Sequence, residues 1–314
     1  MAGRDAVFIH GIGKMSSILQ QLINGLTIGG IYALIALGYT MVYGVLKLIN
    51  FAHGDLCILG AFIGLTTLTT GVFAGLPTPV LMALAFVIAV IAVAVTGTLL
   101  DRVAYKPLRR AHRLSPMVSA LGASMMIENG IMLIWGPNVR VFPSNLLPNT
   151  TWHIGGAYLS FVQLLIMIGA LVLMVALYFF VHHTRVGTAI RASAIDQDAA
   201  RLMGINVNRV IAMVFVIGPA LGAVGGLFIG LYYRQAYFTM GWSYGLNAFI
   251  AAIIGGIGNI PGAMLGGLLL GLFNVFAVGY VSSSWQDAIT FGLLIAILLV
   301  RPSGLLGERV AEKV

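Results

Sequence analysis

Asn50, His53 and Asp55 sit together in the stretch L-I-N-F-A-H-G-D-L-C-I-L-G at residues 48–60. A histidine two residues before a carboxylate has the parts of an acid–base pair or of half a metal site. No further His, Cys or carboxylate stands nearby at ligand spacing, which argues against a metal. Asp55, just after Gly54, reads better as the cap of a helix that starts there. The position of the group matters more than its chemistry. It interrupts an apolar tract running from about residue 18 to residue 76, and each polar group left unpaired in hydrocarbon costs several kcal/mol. The segment therefore lies in the aqueous interface or is buried in protein beside a hydrophilic path. A second interruption, G-G-I-G-N-I-P-G, occupies residues 255–262. Two broken apolar segments in corresponding halves of a membrane protein point to a substrate pathway. Its candidate residues are Asn50, His53, Gly54, Asp55, Gly256, Asn259 and Pro261. Glu128 joins them from a separate apolar block, where a bare carboxylate is expensive and must be protonated, paired or wet. A hydrogen bond to a neighbouring helix is the simpler role for Glu128, and recognition of a substrate amino group the sharper one.

The elements that position these residues follow from composition. The chain has 314 residues, 60% of them apolar and 8% charged, against roughly 25% charged in soluble domains. It is an all-α polytopic membrane protein with room for about eight to ten helical spans. The two broken segments are read as discontinuous helices of an internal inverted repeat. The single cysteine, Cys57, excludes an internal disulfide and a cysteine-based metal site. A net charge of +8 invites a nucleic-acid reading, but the basic residues sit in short loops between apolar blocks, where they act as topology signals. No signal peptide is read in residues 1–14.

Fourteen of the seventeen basic residues fall in the N-terminal segment, in loops 101–113 and 182–209, and in the tail after residue 300. The positive-inside rule places all four in the cytoplasm and residues 136–156 and 233–245 outside. This gives a cytoplasmic segment at residues 1–17, one transmembrane domain at 18–304 and a cytoplasmic tail at 305–314. The parity is then wrong in two places. Three apolar blocks separate the N-terminus from loop 101–113, and two separate residue 245 from the tail. Both mismatches contain one of the polar interruptions. Glycines spaced four apart, at 218, 222, 226 and 230 above all, let helix backbones approach closely, in the first instance within the chain. Trp135, Trp152, Trp242 and Trp285 read as interfacial belt residues.

Loop 182–209 is too ordered for a linker. Asp196 suits an N-cap, Asp198 the first turn and Arg201 the last, with Gly204 as the stop of a short helix over residues 197–203. Residues 187–194 form a second helical candidate. Ala199, Ala200, Leu202 and Met203 give the short helix an apolar surface in an aqueous loop, which meets either a partner or the protein's own helix ends.

The run R-V-G at 185–187, A-I-R-A at 189–192 and D-Q-D-A-A-R-L-M-G-I-N at 196–206 resembles the coupling loop of ABC-importer permeases. The segments beginning at Asn24 and Ile49 resemble the branched-chain amino acid branch of that family, in its LivH-type form. The likeness extends from about residue 18 to 304. It implies a bacterial inner-membrane subunit, paired with a related LivM-type permease, driven by two cytoplasmic ATPases and supplied by an external binding protein. Close relatives import urea, short amides or other amino acids. Asp196, Asp198, Ala199, Ala200, Arg201, Leu202, Met203 and Gly204 would be the ATPase-coupling residues. Glu128-Asn129 departs from the Gln-Asn common in the family. The resemblance implies no catalytic residue and no cofactor in this chain, since ATP is bound by the partner subunits. The sequence has no Gly-Lys-Ser/Thr phosphate loop and no Gly-x-Ser-x-Gly elbow. An autonomous channel or ion-coupled carrier, recruiting Asp55, Glu128 and Asp287, is the alternative, but a carrier has no reason to present a capped cytoplasmic helix.

Overall fold

The computed structural model describes residues 2–73, 75–109, 111–112, 114–144 and 146–307, with residues 2–16 described by their backbone alone. Arg110, Arg113 and most of the expected cytoplasmic tail, residues 308–314, lie outside that set. The described chain is helical almost throughout. Seven helices contain segments long and apolar enough to cross a membrane, and two apolar helices are shorter. In chain order the bundle consists of α1 (Ala2–Leu46), α2 (His53–Thr69), α3 (Thr78–Leu100), α4 (Leu114–Trp135) and α5 (Phe161–His183). Two short helices, α6 (Arg185–Ile195) and α7 (Gln197–Leu202), then lead to α8 (Val207–Tyr233), α9 (Met240–Gly255), α10 (Ile260–Tyr280) and α11 (Gln286–Val300). The two shorter apolar helices are α2 and α9. Counting them, nine membrane helices are described, within the eight to ten expected. Short antiparallel ribbons, Arg140–Val141 with Gln235–Ala236 and Thr151–Ile154 with Ala157–Ser160, decorate one end of the bundle.

Burial sorts the helices. The apolar window of α1 is 89% buried and that of α8 is 72%, whereas that of the last helix is 6%. The two central helices can be this deep because glycine removes side chains between backbones. A Cβ placed on Gly29 would lie 2.9 Å from the Cα of Leu268 in α10, and one on Gly271 would lie 2.8 Å from the Gly25 carbonyl of α1. The stripe on α8 does the same for two neighbours. Gly218 faces Gly38 of α1, Gly222 faces Cys57 and His53 of α2, and Gly226 abuts the Cys57 backbone. The four-residue glycine spacing is therefore consumed inside the chain. At the periphery, Thr290 of α11 donates to Asn274 of α10 at 2.7 Å, which pins an otherwise lipid-facing helix.

Side-chain contacts orient α1. Near its start, Gln20 donates to the Tyr158 carbonyl at 3.0 Å and accepts from the Tyr158 N–H at 2.7 Å. Asn24 accepts from Gln163, in the first turn of α5, at 2.8 Å. At the other end, Gln197 of the basic loop donates to the Val45 carbonyl at 2.7 Å. The Leu46 end of α1 therefore lies on the face of loop 182–209, and its Ser17 end lies on the opposite face, with Tyr158. This corrects the expectation that the N-terminal segment shares the face of the basic loops. The physical reason is parity: three helices, α1, α2 and α3, separate Ser17 from Asp101, so the two ends lie on opposite faces. The second mismatch is resolved by a break. Residues 246–280 are two helices, α9 and α10, so three helices separate residue 239 from the tail. Leu305 and Leu306 donate to the carbonyls of Ile254 and Gly255 at 2.9 and 3.0 Å, which holds the start of the tail at the foot of α9.

Single cysteines at Ser17 and Val139 should react with a membrane-impermeant thiol reagent from the same side of oriented vesicles, and one at Leu202 from the other. Buried Cys57 should stay silent. Labelling of Ser17 together with Leu202 would overturn the orientation of α1.

Candidate functional site

Helix α1 ends at Leu46, and Lys47 follows in the left-handed region at φ 54°. Six residues later α2 begins at His53, but not at the level where α1 stopped. Its first turn packs against Ile35 and Gly38 of α1. Gly38 stands eight residues before the end of α1, about 12 Å back into the bundle at the helical rise. Residues 47–52 thus re-enter the bundle and deliver the start of α2 to its interior.

The first turn of α2 is polar and almost wholly enclosed. His53 is 0%, Asp55 3% and Asn50 1% exposed. His53 Nε2 lies 3.2 Å from the Ile35 carbonyl, a bond it can make only as donor, which leaves Nδ1 as an acceptor without a partner among the described residues. The edge of the imidazole meets the Tyr39 ring, with centroids 4.6 Å apart. Cys57 donates its S–H back to the His53 carbonyl at 3.0 Å. Asn50 Oδ1 accepts from the Tyr105 hydroxyl at 2.9 Å. Asp55 Oδ2 accepts from the Ser124 hydroxyl of α4 at 2.5 Å, and its Oδ1 has no hydrogen-bond partner among the described residues. Asp55 is therefore not the cap expected from sequence. The N-cap residue is Ala52, with no side-chain cap bond, and Asp55 spends its carboxylate on another helix. Its charge still lies in the first turn, where the helix dipole favours it.

The partner of this turn is the start of α9. A Cβ on Gly54 would fall 2.9 Å from the Gly245 Cα, one on Gly245 would fall 2.9 Å from the Gly54 Cα, and one on Gly241 would fall 2.9 Å from the Asp55 Cα. Two helix N-termini thus meet backbone to backbone. From that point α2 runs to the far end of the bundle, where Trp135 donates to Thr66 at 2.6 Å, and α9 runs to the face of the basic loop. Trp135 is therefore tied to α2 rather than simply afloat in an interfacial belt. Glu128 lies one turn beyond Ser124 on the same side of α4, half-buried and close enough to act electrostatically on Asp55.

The second interruption is built differently. Gly256 and Gly258, at φ 107° and 97°, turn the chain in a way side chains resist. Asn259 then caps α10 by accepting from the Gly262 N–H at 2.8 Å, with Pro261 in the first turn. Gly258 approaches Gly44 near the end of α1, and Gly256 abuts Gly304 and Gly307. Gly256, Asn259 and Pro261 thus lie at the face of the basic loop and are not brought beside His53 and Asp55. The start of α9 takes that place. Ser124, Tyr105, Tyr39, Gly241 and Gly245 were not singled out from sequence. The only signals were the four-residue spacings of Ser124 from Glu128 and of Gly241 from Gly245.

In the basic loop, Thr184 caps α6 and Asp196 caps α7, accepting from the N–H groups of Asp198 and Ala199 at 2.8 and 3.0 Å. Arg201 pairs with Asp198 at 2.6 Å on the surface. Gly204 ends the turn at φ 83°. Ala200 is 4% exposed and faces the protein's own helices, which corrects its expected place on an outward surface. Leu202 and Met203, at 89% and 82%, and Ile195, at 85%, are the apolar side chains that face water. Ala199 is exposed beside them.

The sequence profile of the family described as branched-chain amino acid transport system / permease component matches residues 21–298. The chain is 43% identical over 300 residues to the high-affinity branched-chain amino acid transport system permease protein BraD of Pseudomonas aeruginosa, covering 94% of this chain and 98% of that protein. It is 42% identical over 302 residues to the corresponding permease protein LivH of Escherichia coli, covering 94% and 97%. Among solved structures, PsaBC from Streptococcus pneumoniae in complex with Fab aligns with a TM-score of 0.46 at 14% identity, covering 95% of this chain and 96% of that one.

Ser124→Ala should lower stability by about 1–3 kcal/mol, because it strips the donor from a buried carboxylate. In an Asp55→Leu background the same change should cost little. Thermal unfolding of the four proteins in detergent measures the difference. Equal losses in both backgrounds would separate Ser124 from Asp55.

Proposed function

The chain belongs to the family of branched-chain amino acid transport permease components, and from that membership we propose that it forms half of the translocation pathway of an ABC importer for branched-chain amino acids. It works with a second, LivM-type permease, two cytoplasmic ATPases and an external binding protein in a bacterial inner membrane. The chain supplies no catalytic group. Hydrolysis of ATP belongs to the partners, and this subunit converts their movement into access for the substrate.

The observation that carries this reading is the exposed apolar trio Ile195, Leu202 and Met203 around a capped helix outside the bundle. Burying Leu202 and Met203 in a groove contributes roughly 1.5–3 kcal/mol each, and Ala199 beside them permits close approach. Asp196, Asp198 and Arg201 hold the helix, and Gly204 closes it. Ala200 supports the element from inside.

The substrate pathway of this proposal runs past the first turn of α2. An amino acid crossing the membrane brings an ammonium and a carboxylate, and both need partners in a medium without water. Asp55 Oδ1 and Glu128 suit the ammonium. The N-terminal N–H groups of α2 and α9 suit the carboxylate. Asn50 and His53 line the approach, and Gly54 keeps the two backbones close. Gly256, Asn259 and Pro261 form the floor on the basic-loop side.

Leu202→Asp and Met203→Asp should leave the subunit in the membrane at normal levels and remove the ATPases from the purified complex, since each puts an unpaired charge into the docking contact. Retention of stoichiometric ATPases with normal uptake would end the assignment of α7. Asp55→Asn and Glu128→Gln should leave assembly intact and reduce leucine uptake by about ten-fold or more, the equivalent of roughly 1.4 kcal/mol. Unaltered uptake in both would remove these carboxylates from the pathway.

A further inference from the structure

Two points of the basic loop connect to the segment that re-enters the bundle. Midway along it, Gln197, the first residue of α7, donates to the carbonyl of Val45 at 2.7 Å. Val45 stands in the last turn of α1, where carbonyls lack an intrahelical donor, so Gln197 acts as a cap for the helix that precedes residues 47–52. At the loop's C-terminal end, Asn208 in the first turn of α8 accepts from Arg109 at 2.9 Å, and Arg109 also pairs with the buried carboxylate of Asp101. Asp101 opens a π-helical turn, Asp101–Tyr105, that continues α3. The last residue of that turn, Tyr105, donates to Asn50 at 2.9 Å. The Asn50 carbonyl in turn accepts from the His53 N–H at 3.1 Å, which starts α2.

The segment between these two grips has no regular secondary structure and begins at a left-handed Lys47; Phe51 and Ala52 pack on the core, and the Nδ2 of Asn50 is buried without a partner among the described residues. A shift of α7 relative to the bundle is therefore felt at Val45 through one side chain, and a shift of the α8 start is felt at Asn50 through three. Both displacements converge on the first turn of α2. We propose that Gln197 and the chain Asn208–Arg109–Asp101–Tyr105 are positioning residues, which transmit movement of the cytoplasmic loop to the re-entrant segment and so set the position of His53 and Asp55. This inference rests on the reading of α7 as the ATPase-docking element, but it concerns contacts within this chain.

The test uses the complete transporter in proteoliposomes, with leucine uptake and ATP hydrolysis measured on the same sample for Gln197→Glu and Tyr105→Phe. Gln197→Glu keeps the size of the side chain and removes the donor, and Tyr105→Phe removes a single hydroxyl. Both should retain their ATPases and a hydrolysis rate close to wild type. The leucine moved per ATP should fall about five-fold, the ratio corresponding to the roughly 1 kcal/mol of one hydrogen bond. A purely structural role would lower assembly or both rates together and leave the ratio unchanged. An unchanged ratio in both variants, or loss of assembly in both, overturns the proposal. Leu202→Asp is measured alongside. If it loses its ATPases while the two variants transport normally per ATP, only the transmission is refuted. If it keeps ATPases and transport, the docking reading falls and the transmission falls with it.

Discussion

A helix that begins inside a membrane leaves its first N–H groups without partners, and the rest of this protein is arranged to make that start tolerable. No water is at hand to satisfy such groups, and each costs several kcal/mol if left bare. Helix α2 starts with no side-chain cap of its own. Backbone crowds its first turn: Gly241 and Gly245 of α9 on one side, Gly38 of α1 and Gly222 of α8 on others. Any larger residue at these points would push a helix outward and open a gap around polar groups. The glycines at 38, 54, 222, 241 and 245 are thus a consequence of where α2 begins. So is the central place of α1, which must carry the chain to one face before residues 47–52 bring it back.

The same constraint explains the polar residues around the turn. Among the described residues, His53 and Asp55 each make one good bond and keep one atom unpaired, and so does Asn50. Buried networks in folded cores are usually complete, because an incomplete one costs more than an apolar substitute. In the proposed pathway, a cluster with one open valence on each of three members serves something other than stability. A path that must accept and release a polar solute has that requirement, since fully satisfied groups would offer the solute nothing and bare ones would hold it too long.

Much of this was legible in the sequence, and the reasons for the rest are physical. The number of helices, the break at residues 47–52, the break at 256–259 and the capped helix at Asp196 all follow from local rules of hydropathy, glycine and capping. The orientation of α1 did not follow. The positive-inside rule counts charges, and Arg4 and Lys14 pulled the N-terminus to the basic face. The pairings of Gln20 with Tyr158, of Asn24 with Gln163 and of Gln197 with Val45 fix it, and these pairs are far apart in sequence. For the same reason the sequence offers the second polar interruption as the companion of the first. The true companion, Gly241 to Gly245, has no charged residue to draw the eye, since glycine backbones touching across helices leave no mark beyond a four-residue spacing. Ala200 shows the limit of a short helical pattern. With six residues and no long periodicity, which alanine faces inward is decided by tertiary contacts alone.

The division of labour along the basic loop follows from these placements. Three of its apolar side chains, Ile195, Leu202 and Met203, point to solvent while Ile190, Ala200 and Val207 are buried, and of its polar ones Gln197 reaches the Val45 carbonyl and Asn208 bonds Arg109 at the surface. Surface loops ordinarily turn apolar groups inward, and the exposed trio makes sense if another protein covers it. Val45 presents a bare carbonyl to Gln197. Hydrogen bonds are the means available to hold such groups. They are also directional, so a small displacement of the loop changes their geometry before it changes any apolar packing. That sensitivity is what a transmission element between a soluble partner and a membrane path requires.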